Sequence, residues 1–176
     1  MRGVMSGRFR RWVGSVALAA LLPGAASWAE TPPNAFVQAL ATAVTDDAAI
    51  ADWYRSTGYE PLWTGADDAE RRAAFLTAIR AAPDHGLPVG RYDAASLIHA
   101  LEMAETEGDR GRAEVAMTRA YLAWAHDLTS GVLDPATIDP GIVREINVIA
   151  PDTLLHRIAT GKPEAVLDWL LPDGQA

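Results

Sequence analysis

Residues 112–128, RAEVAMTRAYLAWAHDL, carry the most regular hydrophobic pattern of this 176-residue chain and decide its fold class. At about 100° per residue, the apolar side chains fill a sector of roughly half of the helix circumference. The members of this sector are Val115, Met117, Tyr121, Leu122, Trp124, Ala125 and Leu128. Polar side chains occupy the opposite side, namely Arg112, Arg119, His126 and Asp127. This pattern predicts the central helix of a helical bundle.

One carboxylate, that of Glu114, falls inside the apolar sector of this helix. We place it close to the predicted helix start at Arg112, where the helix dipole favours a negative charge. The preceding stretch ETEGDRG, residues 105–111, is interpreted as the end of the previous helix and a connecting loop.

The remaining periodic segments of the chain are also helical in their spacing. Predicted helices begin behind Asn34 and Thr45, cover 67–82, begin again behind Asp93, and include two short segments at 153–159 and 164–170. On the 67–82 helix, Arg71 and Arg72 fall outside the apolar face. No segment alternates in the manner of a strand, and no Asn-Gly or Asp-Gly turn joins two such segments. We therefore predict an all-α domain, an irregular bundle of six or seven helices.

The first 29 residues have the layout of a secretory signal peptide. A basic start precedes an apolar run at 13–22, and small residues, Ser27 and Ala29, stand before a cleavage point at Glu30. The run is too short to cross a bilayer, which takes about 20 residues. We predict a cleaved signal peptide over 1–29 and a mature domain over 30–176. Two alternatives to cleavage are also compatible with the sequence, a retained anchor and an amphipathic N-terminal helix. The export route is either general secretion or the twin-arginine pathway.

Charge and composition exclude several classes of partner and chemistry. Removal of the N-terminal arginines changes the net charge from −8 to about −12. Such a surface repels nucleic acid and anionic lipid, so we predict neither as a partner and no stable membrane span after cleavage. The chain has no cysteine, so it can form no disulfide and offers no thiolate nucleophile.

The residue types that carry catalysis do not form a recognisable site in this sequence. None of the four histidines has the spacing that places two imidazoles on one metal, so we predict no metal and no cofactor. His126 and Asp127 are adjacent on a helix and point about 100° apart, which favours a surface histidine. The 23 acidic residues allow many carboxylate pairs, so a glycan-cleaving pair stays open without a nominated residue. We therefore nominate no catalytic residue.

The segment WYRSTGYEPLW, residues 53–63, concentrates four aromatic side chains around one turn. Trp53 and Tyr54 continue a helical apolar stripe and are predicted to pack inward. The glycine before Tyr59 can adopt a positive φ and end the helix. Tyr59 and Trp63 then either lock this helix end against the core or offer a ring face to a sugar.

Three motifs occur in order along the chain and support a family resemblance. They are WYRSTGYEPLW at 53–63, AIRAAPDHGLPVGRYD at 78–93 and AMTRAYLAWAHDLTSGVLDP at 116–135. Together they resemble the helical scaffold domain of large murein L,D-transpeptidases over about residues 34–171. That family cross-links peptidoglycan, so the resemblance implies a periplasmic protein of cell-wall remodelling. It also implies peptidoglycan or a transpeptidase catalytic domain as the partner.

The chain departs from this family in the part that carries the chemistry. Family members continue into a β-rich domain whose Ser-His-Gly-Cys motif supplies the nucleophile. Because this sequence has no cysteine, we carry over no transpeptidase activity. The chain is then either a non-catalytic scaffold, incomplete at its C-terminus, or a stand-alone module that binds peptidoglycan or another envelope protein. Trp169, Leu170 and Leu171 favour the first alternative, since they are expected to expose apolar surface.

Four residues remain as candidate contacts to a ligand or to another domain. They are Tyr59, Trp63, His85 and Tyr92. All four belong to the resembling motifs, and His85 lies in the turn that ends the 67–82 helix.

Overall fold

Seven α-helices make up most of the computed structural model, which describes residues 34–88, 90–132 and 148–171. They are α1 (Ala35–Ala43), α2 (Ala48–Ser56), α3 (Ala69–Arg80), α4 (Ala94–Glu102), α5 (Glu107–Ser130), α6 (Pro151–Thr160) and α7 (Pro163–Leu170). Short 3₁₀ turns at Ala66–Asp68 and Ala82–His85 flank α3. No strand occurs within the described ranges, and the all-α prediction is confirmed. The predicted signal peptide at 1–29 lies outside the described residues.

Side-chain caps fix the starts of the first, second and fourth helices. The carboxamide of Asn34 accepts a hydrogen bond from Val37 N at 2.9 Å, and the Asp93 carboxylate accepts one from Ser96 N at 3.0 Å. Asp47 caps α2, so this helix begins two residues later than the predicted start behind Thr45. Each cap satisfies a backbone donor that the first helical turn leaves without an intrahelical partner.

The start of α5 differs from the prediction by more than one turn. The helix begins at Glu107, so most of the stretch interpreted as a loop is helical. The physical reason is a capping box, in which Thr106 Oγ1 accepts from Asp109 N and Asp109 Oδ2 accepts from Thr106 N, each at 3.1 Å. Gly108 and Gly111 obscured this start because glycine is an unfavourable residue inside a helix.

The core has two clusters, and α5 contributes to both. The smaller cluster joins α1, α2 and α5 through Phe36, Leu40, Val44, Ile50, Tyr54 and Val115. The larger one joins α3 to α7 around aromatic rings in tilted and edge-to-face contact. Within it, the Phe75 ring centroid lies 5.3 Å from that of Trp63, 5.5 Å from that of Tyr121 and 6.0 Å from that of Trp124. Helix α5 is therefore the central helix that its hydrophobic pattern predicted.

Helices α1 and α5 cross closely at Gly111. A Cβ atom added to this glycine would lie 2.6 Å from the carbonyl oxygen of Phe36 and 3.1 Å from the amide nitrogen of Leu40. Because the obstacles are backbone atoms of α1, no side-chain movement can make room. The glycine that weakens α5 locally is thus required by the packing of α1.

The C-terminal helices cover most of their own apolar surface. Leu170 is 3% exposed within the larger cluster, so the expectation that it would be left exposed is wrong. Trp169 is 45% exposed, and the guanidinium carbon of Arg157 lies 4.0 Å from its ring centroid. Among the described residues, no helix is long and apolar enough to cross a membrane.

Candidate functional site

The turn after α2 is a Schellman motif with two consecutive residues of positive φ. Gly58 has φ +66° and Tyr59 has φ +63°. Tyr59 N donates to Tyr54 O at 2.7 Å, and Gly58 N donates to Arg55 O at 3.3 Å. These two bonds satisfy carbonyls at the end of α2 and reverse the chain direction. The prediction that this segment locks a helix end is confirmed.

The carboxylate of Glu114 holds the segment that follows this turn. Its oxygens accept hydrogen bonds from the backbone N–H groups of Leu62 (2.6 Å), Trp63 (3.0 Å) and Thr64 (2.9 Å). They also accept from the hydroxyls of Tyr54 at 2.7 Å and Thr64 at 2.8 Å. Glu114 is fully buried two turns inside α5, so the helix-dipole explanation for its position is wrong. The carboxylate is buried because five donors surround it.

Arginine side chains hold the carbonyl groups of the same segment. Arg71 donates to Leu62 O at 2.6 Å and also reaches Ala159 O at 3.2 Å. Arg72 donates to the carbonyls of Trp63 and Gly65. Arg71 and Arg72 therefore do not point away into solvent, as their place outside the apolar face suggested. Charged side chains satisfy the backbone of a segment that has no secondary structure of its own.

Trp63 completes this network from the core side. Its indole Nε1 donates to Thr118 Oγ1 at 2.9 Å, and the same oxygen lies 2.7 Å from the Tyr54 hydroxyl. Burial, together with the negative charge of Glu114, raises the pKa of Tyr54 well above its ordinary value. Trp63 is fully buried, so it presents no ring face to a sugar. The network around Glu114 therefore has a structural role, since it holds α2 and residues 62–64 against α5.

A second buried polar contact joins the segment before α4 to the C-terminal half of α5. The hydroxyl of Tyr92 and the guanidinium of Arg91 both donate to Asp127, and His126 Nδ1 lies 3.3 Å from an Asp127 oxygen. Burial opposes ionisation of Asp127, but the hydrogen bonds from Tyr92 and Arg91 outweigh it and lower its pKa. Asp127 is 4% exposed, so its predicted surface position is wrong, whereas His126 is exposed as predicted.

An open cavity of about 480 Å³ lies between α3 and α7. We call it the acidic cavity, because its polar lining includes three carboxylates. It is lined by Glu70, Ala73, Ala74, Thr77, Ala78, His85, Trp124, Glu164, Leu167, Asp168 and Leu171. Its volume is within the range of about 300–1,000 Å³ that small-molecule sites occupy in proteins.

The four candidate contact residues lie in separate environments. Trp63 is in the network around Glu114, and Tyr92 is buried on Asp127. Tyr59 is half-buried beside the smaller cluster, and His85 lines the acidic cavity. The structure does not gather them into one site. Sequence reasoning missed the carboxylates of the cavity, which belong to two helices far apart in the chain.

Comparison with known protein families assigns this chain to one of them. The family model described as Scaffold domain matches residues 48–176, well over half of the chain. The chain belongs to the Scaffold domain family. This match confirms the scaffold-domain resemblance that the three motifs indicated, and it includes all three. No curated protein and no solved structure matches the chain.

The first and the second motif of this Scaffold domain both contact the third. Tyr54 and Trp63 of the first motif meet Thr118 of the third, and Tyr92 of the second meets Asp127 of the third. Among the described residues, no group of three or more histidine or acidic side chains is placed to hold a metal ion. The contacts of Tyr54, Trp63 and Tyr92 hold α2, residues 62–64 and the segment before α4 against α5.

Proposed function

We propose that this Scaffold domain is a non-catalytic component of peptidoglycan cross-linking or remodelling in the periplasm, of L,D-transpeptidase type. The observation that carries the proposal is the burial of Tyr54, Trp63 and Tyr92 against α5, since such contacts fix a shape and engage these side chains inside the domain. Membership of the family supports it. The signal-like N-terminus supports export, and the lack of cysteine means that a thiolate must come from another domain or chain.

The first test of this proposal is enzymatic. The purified chain is incubated with a muropeptide that carries a tetrapeptide stem, and the terminal D-Ala released is measured against a buffer blank. We expect no release, because the chain supplies no thiolate nucleophile. Release above the blank would contradict a non-catalytic role.

The second test concerns the partner and the compartment. A transpeptidase catalytic domain that contains its cysteine is mixed with the chain, and the complex is measured by size-exclusion chromatography with light scattering. We expect a complex, and we expect the native protein in the periplasmic fraction with an intact mass that begins at Glu30. A cytoplasmic protein that retains residues 1–29 would contradict the assignment to the cell wall.

The alternative function is that of a stand-alone binding module, and the acidic cavity favours it. On this alternative the chain itself sediments with purified sacculi in the absence of any catalytic domain. Tyr59 is the candidate to test, because it is half-buried, whereas Trp63 has no accessible face. Tyr59→Ala is expected to weaken co-sedimentation under this alternative and to leave it unchanged under the first proposal.

A further inference from the structure

Three exposed carboxylates line the acidic cavity. Glu70 of α3 and Glu164 and Asp168 of α7 line it, and none forms a hydrogen bond or an ion pair with its side chain among the described residues. The described lining residues include no lysine or arginine. Among the described lining residues, His85 alone has a basic side chain, and one imidazole cannot balance three carboxylates.

Glu164 and Asp168 form an exposed pair of like charges on α7, and a bound cation would stabilise this pair. Glu164 and Asp168 are four residues apart, on one side of the helix, where like charges repel. Asp168 also lies in the last turn of α7, where the negative end of the helix dipole disfavours a carboxylate. A cation in the cavity would relieve both effects at once.

The floor of the acidic cavity is apolar and contains one buried donor. Alanine side chains of α3 and Leu167 of α7 form much of it. Trp124 also lines the cavity, is 1% exposed, and has an indole Nε1–H with no hydrogen-bond acceptor among the described residues. A buried donor without an acceptor is uncommon in native structures and is consistent with an acceptor that a ligand supplies.

We propose that the acidic cavity binds a lysine- or arginine-bearing peptide segment of a partner protein. The aliphatic stem of a basic side chain packs on the alanine and leucine floor, and its cationic head meets Glu70, Glu164 and Asp168. Peptide carbonyl groups of the segment can accept a hydrogen bond from the indole N–H of Trp124. An acidic or anionic ligand would be repelled. This inference goes beyond the proposed function, because it assigns a binding site and the charge of its ligand and requires no cell-wall component.

The test uses the ¹⁵N-labelled chain and the peptide acetyl-Ala-Lys-Ala-Lys-Ala-amide, followed by NMR. We expect chemical-shift changes in α3 and α7 and in the indole signal of Trp124 of α5. The combined variant Glu70→Gln, Glu164→Gln and Asp168→Asn should bind at least about tenfold more weakly, since charge-assisted contacts are lost. The matched control is Glu102→Gln, Glu105→Gln and Asp46→Asn, three exposed acids outside the cavity lining, and we expect it to bind as the wild type does.

A second pair of variants separates the cavity from the general acidity of the surface. Ala73→Leu adds bulk to the lining at an exposed position of α3 and keeps all three carboxylates. It should weaken peptide binding, whereas the exposed Ala95→Leu of α4 should not. Unchanged binding by Ala73→Leu, or equal binding of a peptide with glutamine in place of lysine, would overturn the proposal.

Two further outcomes would also overturn it. Equal weakening by the matched surface variant would mean that only net charge attracts the peptide. Self-association of the chain that Ala73→Leu abolishes would identify a second copy as the occupant of the cavity. Because the probe contains no peptidoglycan, none of these outcomes bears on the enzymatic and localisation tests of the proposed function.

Discussion

Glu114 is a charged side chain in the apolar half of α5, and its burial is possible because the charge is fully solvated by protein. Five donors from α2 and from residues 62–64 replace the water that the carboxylate loses on folding. An unpartnered carboxylate at this depth would be strongly destabilising. The residue thus converts an irregular segment into a fixed part of the core.

Replacement of Glu114 by glutamine tests this role. Glu114→Gln replaces a carboxylate oxygen that accepts hydrogen bonds from Thr64 by an NH₂ group. The new NH₂ donor then faces the N–H and O–H donors of Thr64. We expect the free energy of unfolding to fall by about 3 kcal/mol, measured by urea denaturation. The control Glu105→Gln, at an exposed position, should change it by less than about 0.5 kcal/mol. Equal stability of both variants would mean that the network contributes nothing.

Asp127 gives a pH-dependent prediction. Its pKa is lowered in the folded state, so its contribution to stability is complete above the unfolded pKa of about 3.9 and is lost as the pH falls through the folded value. Asp127→Asn should therefore destabilise the protein at neutral pH, and the difference from wild type should shrink below about pH 4. Denaturation curves over a pH series measure it. A pH-independent difference would contradict the assignment, and the exposed Asp67→Asn serves as the control.

At the scale of elements, the crossing of α1 and α5 depends on the absence of a side chain. The backbone of α1 approaches Gly111 so closely that any Cβ would clash with it. Gly108 lies about one turn earlier in the same helix. A Cβ atom added there would lie 3.7 Å from its nearest neighbours, side-chain atoms of Arg112 and Thr106, which is an ordinary contact distance. These two glycines therefore respond oppositely to alanine.

Gly111→Ala is expected to destabilise the domain by about 1–3 kcal/mol, because the clash outweighs the better helix propensity of alanine. Gly108→Ala is the matched control and should be neutral or stabilising by up to about 1 kcal/mol. Thermal unfolding monitored by circular dichroism compares the two variants. If Gly111→Ala is the more stable of the pair, the close crossing of α1 and α5 is wrong.

At the scale of the whole molecule, the C-terminal helices are part of the core. Leu155 and Ile158 of α6 and Leu170 of α7 are buried in the larger cluster. Arg71 connects the 62–64 segment to the end of α6 through Ala159. The N-terminal helices therefore depend on elements that lie far along the chain.

A chain that ends after Ile149 tests this dependence. Loss of α6 and α7 uncovers Trp63, Phe75 and Tyr121, so we expect no cooperative thermal transition and increased binding of a hydrophobic dye. The full chain is the control in both measurements. A truncated chain that unfolds cooperatively at the wild-type midpoint would show that α6 and α7 are accessory.

The sequence by itself determined the helices of this protein. Apolar spacing, the caps at Asn34 and Asp93 and the proline at the start of α7 act over a few residues. The helices of the described residues and the central place of α5 could therefore be predicted from local sequence. The capped start of α5 at Thr106 was missed, because glycines in its first turns lower local helix propensity. Three ordered motifs also indicated the Scaffold domain family before any contact was known.

Only the tertiary structure decided what the polar residues do. Glu114 meets partners 50 to 60 residues away, and Asp127 meets Tyr92 35 residues away, so no local pattern could pair them. The acidic cavity likewise forms only when α7 packs on α3. A buried carboxylate such as that of Glu114 needs several hydrogen-bond donors at once, and the acidic cavity needs the surfaces of both α3 and α7. Both conditions are set by the packing of distant segments, which local hydrophobic periodicity does not specify.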